Sequence, residues 1–306
     1  MSTQPLPVWR SLLFVPVTER RFVDGAAKRG ADAIILDLED SVAPSQKERA
    51  RTLVPEAAAI VSRGGADVVV RINRPWRLAV RDVEAAVGPG VRALALPKTD
   101  SPEHVHMVAE IVDEVERERG VTPGATGLLA MVETAAALFR IADIARAHPR
   151  LIALNLGAED FALSAGILPE AEGLFLPKQL CVFAARAAGI MPLGFIGTVA
   201  DYHDLDAFRQ TIRRSRRLGF IGASVIHPSQ IAILNEEFRV GAAEIDHARR
   251  VVAAYDQALA AGVGAVTVDG KMIDVPVVER ARLLLEREAA IVEREENRRA
   301  LAEAVS

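Results

Sequence analysis

The chain has a single cysteine, Cys181, so it can form no internal disulfide. That fits a reducing compartment. Aromatic residues make up only 5% of it, with two Trp and two Tyr, too few for base-stacking platforms. Neither sign of charge dominates: 37 Lys and Arg stand against 41 Asp and Glu, a formal net charge of −4. This argues against nucleic acid or an anionic membrane as the main partner. No apolar run approaches the roughly 18 residues of a spanning helix. The opening MSTQPLPVWR lacks a basic segment followed by an apolar one, so no signal peptide and a cytoplasmic location are expected. No G-x-G-x-x-G follows the first apolar run, which speaks against a dinucleotide site.

What the 306 residues do have is bulk apolarity: half are hydrophobic, enough to bury a full core. That content is arranged in eight short continuous runs. They are Ser11–Pro16, Ala33–Asp40, Val68–Arg74, Ala93–Thr99, Gly127–Thr134, Leu151–Asp160, Pro192–Gly197 and Phe220–Pro228. Continuous, non-alternating runs are the pattern of parallel strands buried on both faces. Helix-like stretches separate them, among them Ser101 to Arg119, Thr134–Ala147 and Leu176–Ala188, the last ended by Gly189. Eight strand–helix units over about 230 residues predict an α/β fold, a (β/α)8 TIM barrel, over a doubly wound sheet. Past Arg239 the pattern changes to a helix (Ala242–Ala261), a hairpin turning at Asp269-Gly270, and a charged helix from Val277 to about Ala304. The expected division is a barrel over 1–240 and an extension over 241–306, serving oligomerisation or as a lid.

Polar residues end the apolar runs, where barrel enzymes build their sites. They are Asp37, Glu39 and Asp40; Arg71 and Asn73; Lys98; Glu133; Glu159 and Asp160; and His227. Carboxylates in buried strands are costly unless paired or metal-bound. A divalent cation is the simplest compensation, and an all-oxygen set points to Mg²⁺ or Mn²⁺. Any single one of these acids could instead pair with an Arg or cap a helix. Arg71, inside a strand, needs an anion: a substrate carboxylate or enolate-like oxygen, or Asp37 or Glu39 on the neighbouring strand. Gly157, at a strand end, lets backbone N–H groups approach an anion. Cys181 reads as inert core.

The segments RSLLFVP (Arg10–Pro16), AIILDLEDSV (Ala33–Val42), KERAR (Lys47–Arg51), RIN (Arg71–Asn73), LPK, VET (Val132–Thr134), GAEDFA, AARAAGI, RLGFIG, IHPSQI (Ile226–Ile231) and DGKMIDVP (Asp269–Pro276) run in order from Arg10 to about Arg280. Together they resemble the citrate lyase β-subunit-like (CitE-like) branch of the HpcH/HpaI aldolase family. The resemblance implies a Mg²⁺-dependent barrel lyase. Its substrate would be a CoA or acyl-carrier thioester of a 3-hydroxy acid, cleaved reversibly to an acyl-CoA and a 2-oxo acid. Glu133 and Asp160 resemble the two metal ligands, and Arg71 the clamp on a substrate oxygen. Glu39 resembles the carboxylate behind metal-bound water, and Arg10 part of the thioester end of the site. Pro97 in LPK, and Gly157 and Ala158 in GAED, fall at expected substrate contacts; His227 and Pro228 match the segment lining the CoA channel. Asp274 resembles the catalytic acid that the C-terminal segment lends to a neighbouring subunit in trimeric relatives. The chain departs from the family at Gly194, at Ala223 and at Lys178-Gln179, near the acyl- or CoA-facing rim. Two other readings are an aldolase acting on free hydroxy-oxo acids, and a non-catalytic subunit of a lyase complex.

Overall fold

The structure, a computed structural model, describes residues 6–198 and 203–305. Eight strands build the first unit: β1 (Ser11–Pro16), β2 (Ala33–Asp37), β3 (Asp67–Arg71), β4 (Val91–Leu96), β5 (Gly127–Val132), β6 (Leu151–Leu156), β7 (Met191–Leu193) and β8 (Ala223–Val225). All neighbours pair in parallel, in the order β7-β6-β5-β4-β3-β2-β1-β8. A further parallel bridge, Leu193 to Gly222, joins the two ends of that order and closes the ring. The result is the (β/α)8 barrel expected from the continuous apolar runs.

The helices are α1 (Arg20–Ala26), α2 (Lys47–Val61), α3 (Trp76–Ala86), α4 (Pro102–Glu118), α5 (Ala135–Leu138), α6 (Ile141–Ala145), α7 (Ala158–Ala165), α8 (Ala171–Ala188), α9 (Leu205–Arg217) and α10 (Gln230–Glu237). Ser101 caps α4 by accepting from the His104 N–H, and Pro102 sits in its first turn. Where one helix was expected over Thr134–Ala147, the chain forms two, broken at Phe139–Arg140. The break turns Ile141, Ile144 and Ala145 into the core and leaves Phe139 exposed. Helix α8 begins five residues before the expected start and runs through Pro177, at the loss of one backbone hydrogen bond.

Alternation along each strand divides the core in two. Ile34, Leu36, Val68, Val70, Leu94 and Leu96 point outward to the helices. Leu12, Ala33, Ile35, Val69, Ala93, Ala95, Leu129 and Met131 fill the barrel interior. Each large aliphatic side chain so buried contributes roughly 1.5–3 kcal/mol. The strands end sooner than the apolar runs, by two to four residues at β2, β4, β5 and β6. After the last ladder bond the backbone leaves the sheet, and those residues become the loops of the C-terminal mouth.

The second unit begins at Arg239 and ends at Ser306. It holds α11 (Ala242–Ala260), an antiparallel pair β9 (Val266–Val268) and β10 (Lys271–Ile273), and α12 (Val275–Val305). The hairpin turns at Asp269-Gly270, both in the left-handed region that such a two-residue turn requires. Val251, Tyr255, Ile273 and Val278 form its own core. Among the described residues no helix is long and apolar enough to cross a membrane.

Candidate active site

Strand parity decides what enters the mouth. Asp37 follows Ala33 and Ile35 on the inward face of β2, and Arg71 follows Val69 on β3. The two stand directly opposite in register. Glu133 continues the inward set Leu129 and Met131 just past β5. These residues, with Asp160 at the start of α7, line a cavity of about 810 Å³.

Arg71 is gripped on its own strand's neighbour. Its Nε and Nη2 each donate to Asp37 at 2.7 Å, a two-bond fork. Its Nη1 lies 3.1 Å from Glu39 and 3.3 Å from Asp40. The guanidinium also sits 4.8 Å from the centre of the Phe14 ring. Burial works against both charges. The hydrogen bonds and charge of Asp37 nevertheless raise the Arg71 pKa, and Arg71 in turn holds Asp37 below its ordinary value. Of the two partners open in the sequence, the intramolecular carboxylate is in place, and the side chain still lines the cavity.

Glu39 is presented by a braced loop. Lys47 donates to the Leu38 and Glu39 carbonyls, both at 2.6 Å. Asn73 donates to the Leu38 carbonyl and to Asp82, which also takes Arg51. The KERAR and RIN segments thus serve as scaffold through Lys47, Arg51 and Asn73. Glu39 Oε1 accepts from Lys98 Nζ at 2.9 Å, and the buried Oε2 is the oxygen ion-paired with Arg71 Nη1; burial pushes the carboxyl pKa up.

Glu133 is 3% exposed and accepts the Lys98 backbone N–H at 2.9 Å. Burial first, then the charges of Glu39 and Asp160, push its pKa up to about 8. A Cβ on Gly157 would stand 2.7 Å from Glu133 Cγ, so only glycine there lets the glutamate lie as it does. Among the described residues no three His, Cys, Asp or Glu side chains converge as a ligand group, and Glu133 and Asp160 amount to two donors. The crowding of buried Glu133 against the charges of Glu39 and Asp160, and the all-oxygen donor set, fit a hard divalent cation such as Mg²⁺ or Mn²⁺ that keeps positions open for substrate oxygens.

The other expected residues divide. Gly157, Ala158, His227 and Pro228 line the same cavity as Arg71, Glu133 and Asp160. Pro97 is buried at the end of β4 and lies outside the lining. Arg10 is corrected: it precedes β1, at the end of the barrel away from the mouth, and binds Asp32 through Nε and Nη2 at 2.8 and 3.0 Å. The resemblance matched its place in the motif, but strand direction puts it at the opposite end. Asp274 belongs to the second unit, immediately before α12, where its carbonyl accepts from Val277 and Val278. Two residues were missed. Lys98 was visible as a strand-end cation but had no role. Lys178 was noted only as a departure; it is buried, lines the cavity and donates to the Phe195 and Gly197 carbonyls at 2.6 and 2.7 Å. Burial lowers its pKa to about 8. Gly194 lines the cavity too, whereas Ala223 packs in the outer core.

Comparison with known proteins agrees with this architecture. Residues 10–228 match the HpcH/HpaI aldolase/citrate lyase family profile. The chain is 38% identical over 283 residues to citrate lyase subunit beta of Escherichia coli (strain K12), covering 91% of this chain and 92% of that protein. It is 32% identical over 299 residues to an L-malyl-CoA/beta-methylmalyl-CoA lyase of Cereibacter sphaeroides (strain ATCC 17029 / ATH 2.4.9), covering 90% and 93%. Among solved structures it superposes on protein CitE of Mycobacterium tuberculosis in complex with magnesium, acetoacetate and coenzyme A, with a TM-score of 0.71 and 29% identity. That match covers 91% of this chain and 97% of the other. A closed parallel barrel, acids and an arginine at its mouth, and kinship over nine-tenths of the length lead to one conclusion: the chain belongs to the HpcH/HpaI aldolase/citrate lyase family, and is a lyase of its citrate lyase β-subunit-like branch.

Proposed function

We propose that this lyase is Mg²⁺-dependent and acts on the CoA thioester of a 3-hydroxy acid of the malyl, citramalyl or citryl type. It cleaves the carbon–carbon bond to an acyl-CoA and a 2-oxo acid, or forms it in reverse by Claisen condensation. The observation that carries this reading is the convergence of Glu133, Asp160 and Arg71 on one cavity, an oxygen donor pair beside a fixed guanidinium. The C. sphaeroides malyl-CoA lyase and the CitE complex with magnesium and coenzyme A support the same chemistry.

Glu133 and Asp160 are the residues that would hold the cation. When bound, Mg²⁺ supplies Lewis acidity toward the carboxylate and carbonyl oxygens of a 2-oxo acid. Cleavage leaves negative charge on the thioester oxygen, and that charge must be met as it develops. Arg71 meets it with a guanidinium already held by Asp37, so little reorganisation is needed. Glu39 keeps Arg71 and Lys98 in place. Gly157 and Ala158 bring backbone toward the acid, while His227 and Pro228 border the thioester side. Asp274, supplied by a second copy in a homotrimer, moves the proton to or from the enolate carbon.

The test is a panel of malyl-, citramalyl- and citryl-CoA with Mg²⁺ or with EDTA, followed by acyl-CoA release. Release that needs both the thioester and the metal is expected. Turnover of free hydroxy-oxo acids instead would establish the aldolase reading. Glu133→Gln should lower the rate at least ~100-fold, beyond the 10–100-fold typical of groups behind the ligands, with an unchanged circular dichroism spectrum. Wild-type rates in that variant remove Glu133 from the metal site.

A further inference from the structure

Several acids at the mouth share the ammonium of Lys98. Its Nζ donates to Glu39 Oε1 at 2.9 Å and stands 3.7 Å from Asp160, 4.0 Å from Glu133 and 4.0 Å from Asp40. The backbone of Lys98 is equally committed. Its φ is +48°, and among the described non-glycine residues only Asp269, in the hairpin turn, shares a positive φ. A residue with a Cβ adopts that conformation only where surrounding contacts impose it. Here the strained backbone aims the Lys98 N–H at Glu133 Oε2, at 2.9 Å, while the side chain turns toward Glu39. One residue thus orients Glu133 through its main chain and balances Glu133, Glu39 and Asp160 through its ammonium.

We infer that Lys98 is a built-in counter-ion of the carboxylate cluster, which a divalent cation must displace to bind Glu133 and Asp160. The inference rests on the metal-site reading above. A compact ammonium on a flexible four-carbon stem suits the task. It neutralises buried acids without metal, and its side chain is 35% exposed, which leaves a path into solvent. A doubly charged ion at the same two carboxylates repels the ammonium within a few ångströms. Lys98 therefore weakens metal binding in exchange for holding the metal-free site together.

The test is direct binding of Mn²⁺ and Mg²⁺ by calorimetry and Mn²⁺ resonance, with thermal melts of the metal-free proteins. Lys98→Met should bind Mn²⁺ on the order of tenfold tighter than wild type or more. It should also melt at a lower temperature without metal and gain more from added Mn²⁺. Lys98→Arg, which keeps the charge, should stay near wild-type affinity. Equal or weaker binding by Lys98→Met overturns the inference, because a merely structural lysine has no means to tighten it. Should that variant fail to fold, crystal structures of wild type with and without Mn²⁺ decide: Nζ is expected to leave Asp160 and Glu133 on metal binding, and an unmoved Nζ refutes displacement. Wild-type protein that binds no divalent cation at all overturns the metal-site reading and this inference together. Binding that is indifferent to Lys98 overturns the inference alone.

Discussion

At the scale of the residue, burial decides how a titratable group behaves, and His104 shows it away from the mouth. The imidazole is 4% exposed on α4, stacks edge-on against Trp76 at 5.1 Å, and leaves Nδ1 without a hydrogen bond. Burial and then the charge of Arg74 push its pKa down to about 4, against a smaller opposing pull from Asp100. The unfolded chain carries a histidine near 6.5, so above that pH the group is neutral in both states and costs nothing. As pH falls from 6.5 toward 4 the unfolded state takes up a proton that the folded state refuses. Stability then drops by up to ~3 kcal/mol and levels off below pH 4. His104→Phe keeps a ring against Trp76 and removes this contribution, so its urea-unfolding stability should fall less than that of wild type between pH 6.5 and 4. Parallel pH profiles would show that His104 is not the acid-sensitive group. The mouth acids were legible as a set because they end apolar runs. Their individual partners were not: the Arg71–Asp37 fork depends on register between strands 34 residues apart.

At the scale of the element, strand ends and the first turns after them place the chemistry. Glycine at 157, between β6 and α7, is what allows Glu133 to cross from the end of β5 beside Asp160. Gly157→Ala puts a Cβ 2.7 Å from Glu133 Cγ and 2.9 Å from Oε1, and the side chain must move. Metal affinity is expected to fall by roughly 10–100-fold, the scale of a lost orienting contact, with thermal stability little changed. Calorimetric titration with Mn²⁺ checks this, and wild-type affinity would mean that Glu133 is not held where it is needed. Glycine at the strand end was readable in GAED as a place for close approach. That Glu133 is packed against that glycine came only from the tertiary structure. Arg10 failed for a related reason: its motif was right, but a residue preceding a barrel strand sits at the wrong end for a site built at the C-terminal mouth.

At the scale of the whole molecule, the chain consists of a barrel up to Phe238 and a helical unit from Arg239. The proposed catalytic acid, Asp274, lies in the second unit and the proposed metal pair in the first. If one copy lends Asp274 to another, two dead variants can repair each other. Asp274→Asn alone should cost about 10²- to 10⁴-fold in rate, the usual worth of a positioned proton-transfer group, with Mn²⁺ affinity unchanged. Mixing it with Glu133→Gln under subunit exchange should restore measurable thioester cleavage, since some sites then combine two intact halves. No recovery after verified exchange would place both residues in the same copy's site.

The amino-acid order alone was enough for the barrel, its eight strands, the hairpin at Asp269-Gly270 and the list of acids at the mouth. Those follow from local pattern: continuous apolar runs, turn residues and the polar residues that end each run. Packing in three dimensions settled the rest. Strand parity turned Asp37 and Arg71 inward, register joined them, and close approach made Gly157 a support for Glu133. Lys98 acquired its place in the same way, because its neighbours Glu39, Glu133 and Asp160 come from three other segments of the chain. Charges far apart in sequence meet only after the barrel closes, and a buried charge takes its character from what it meets.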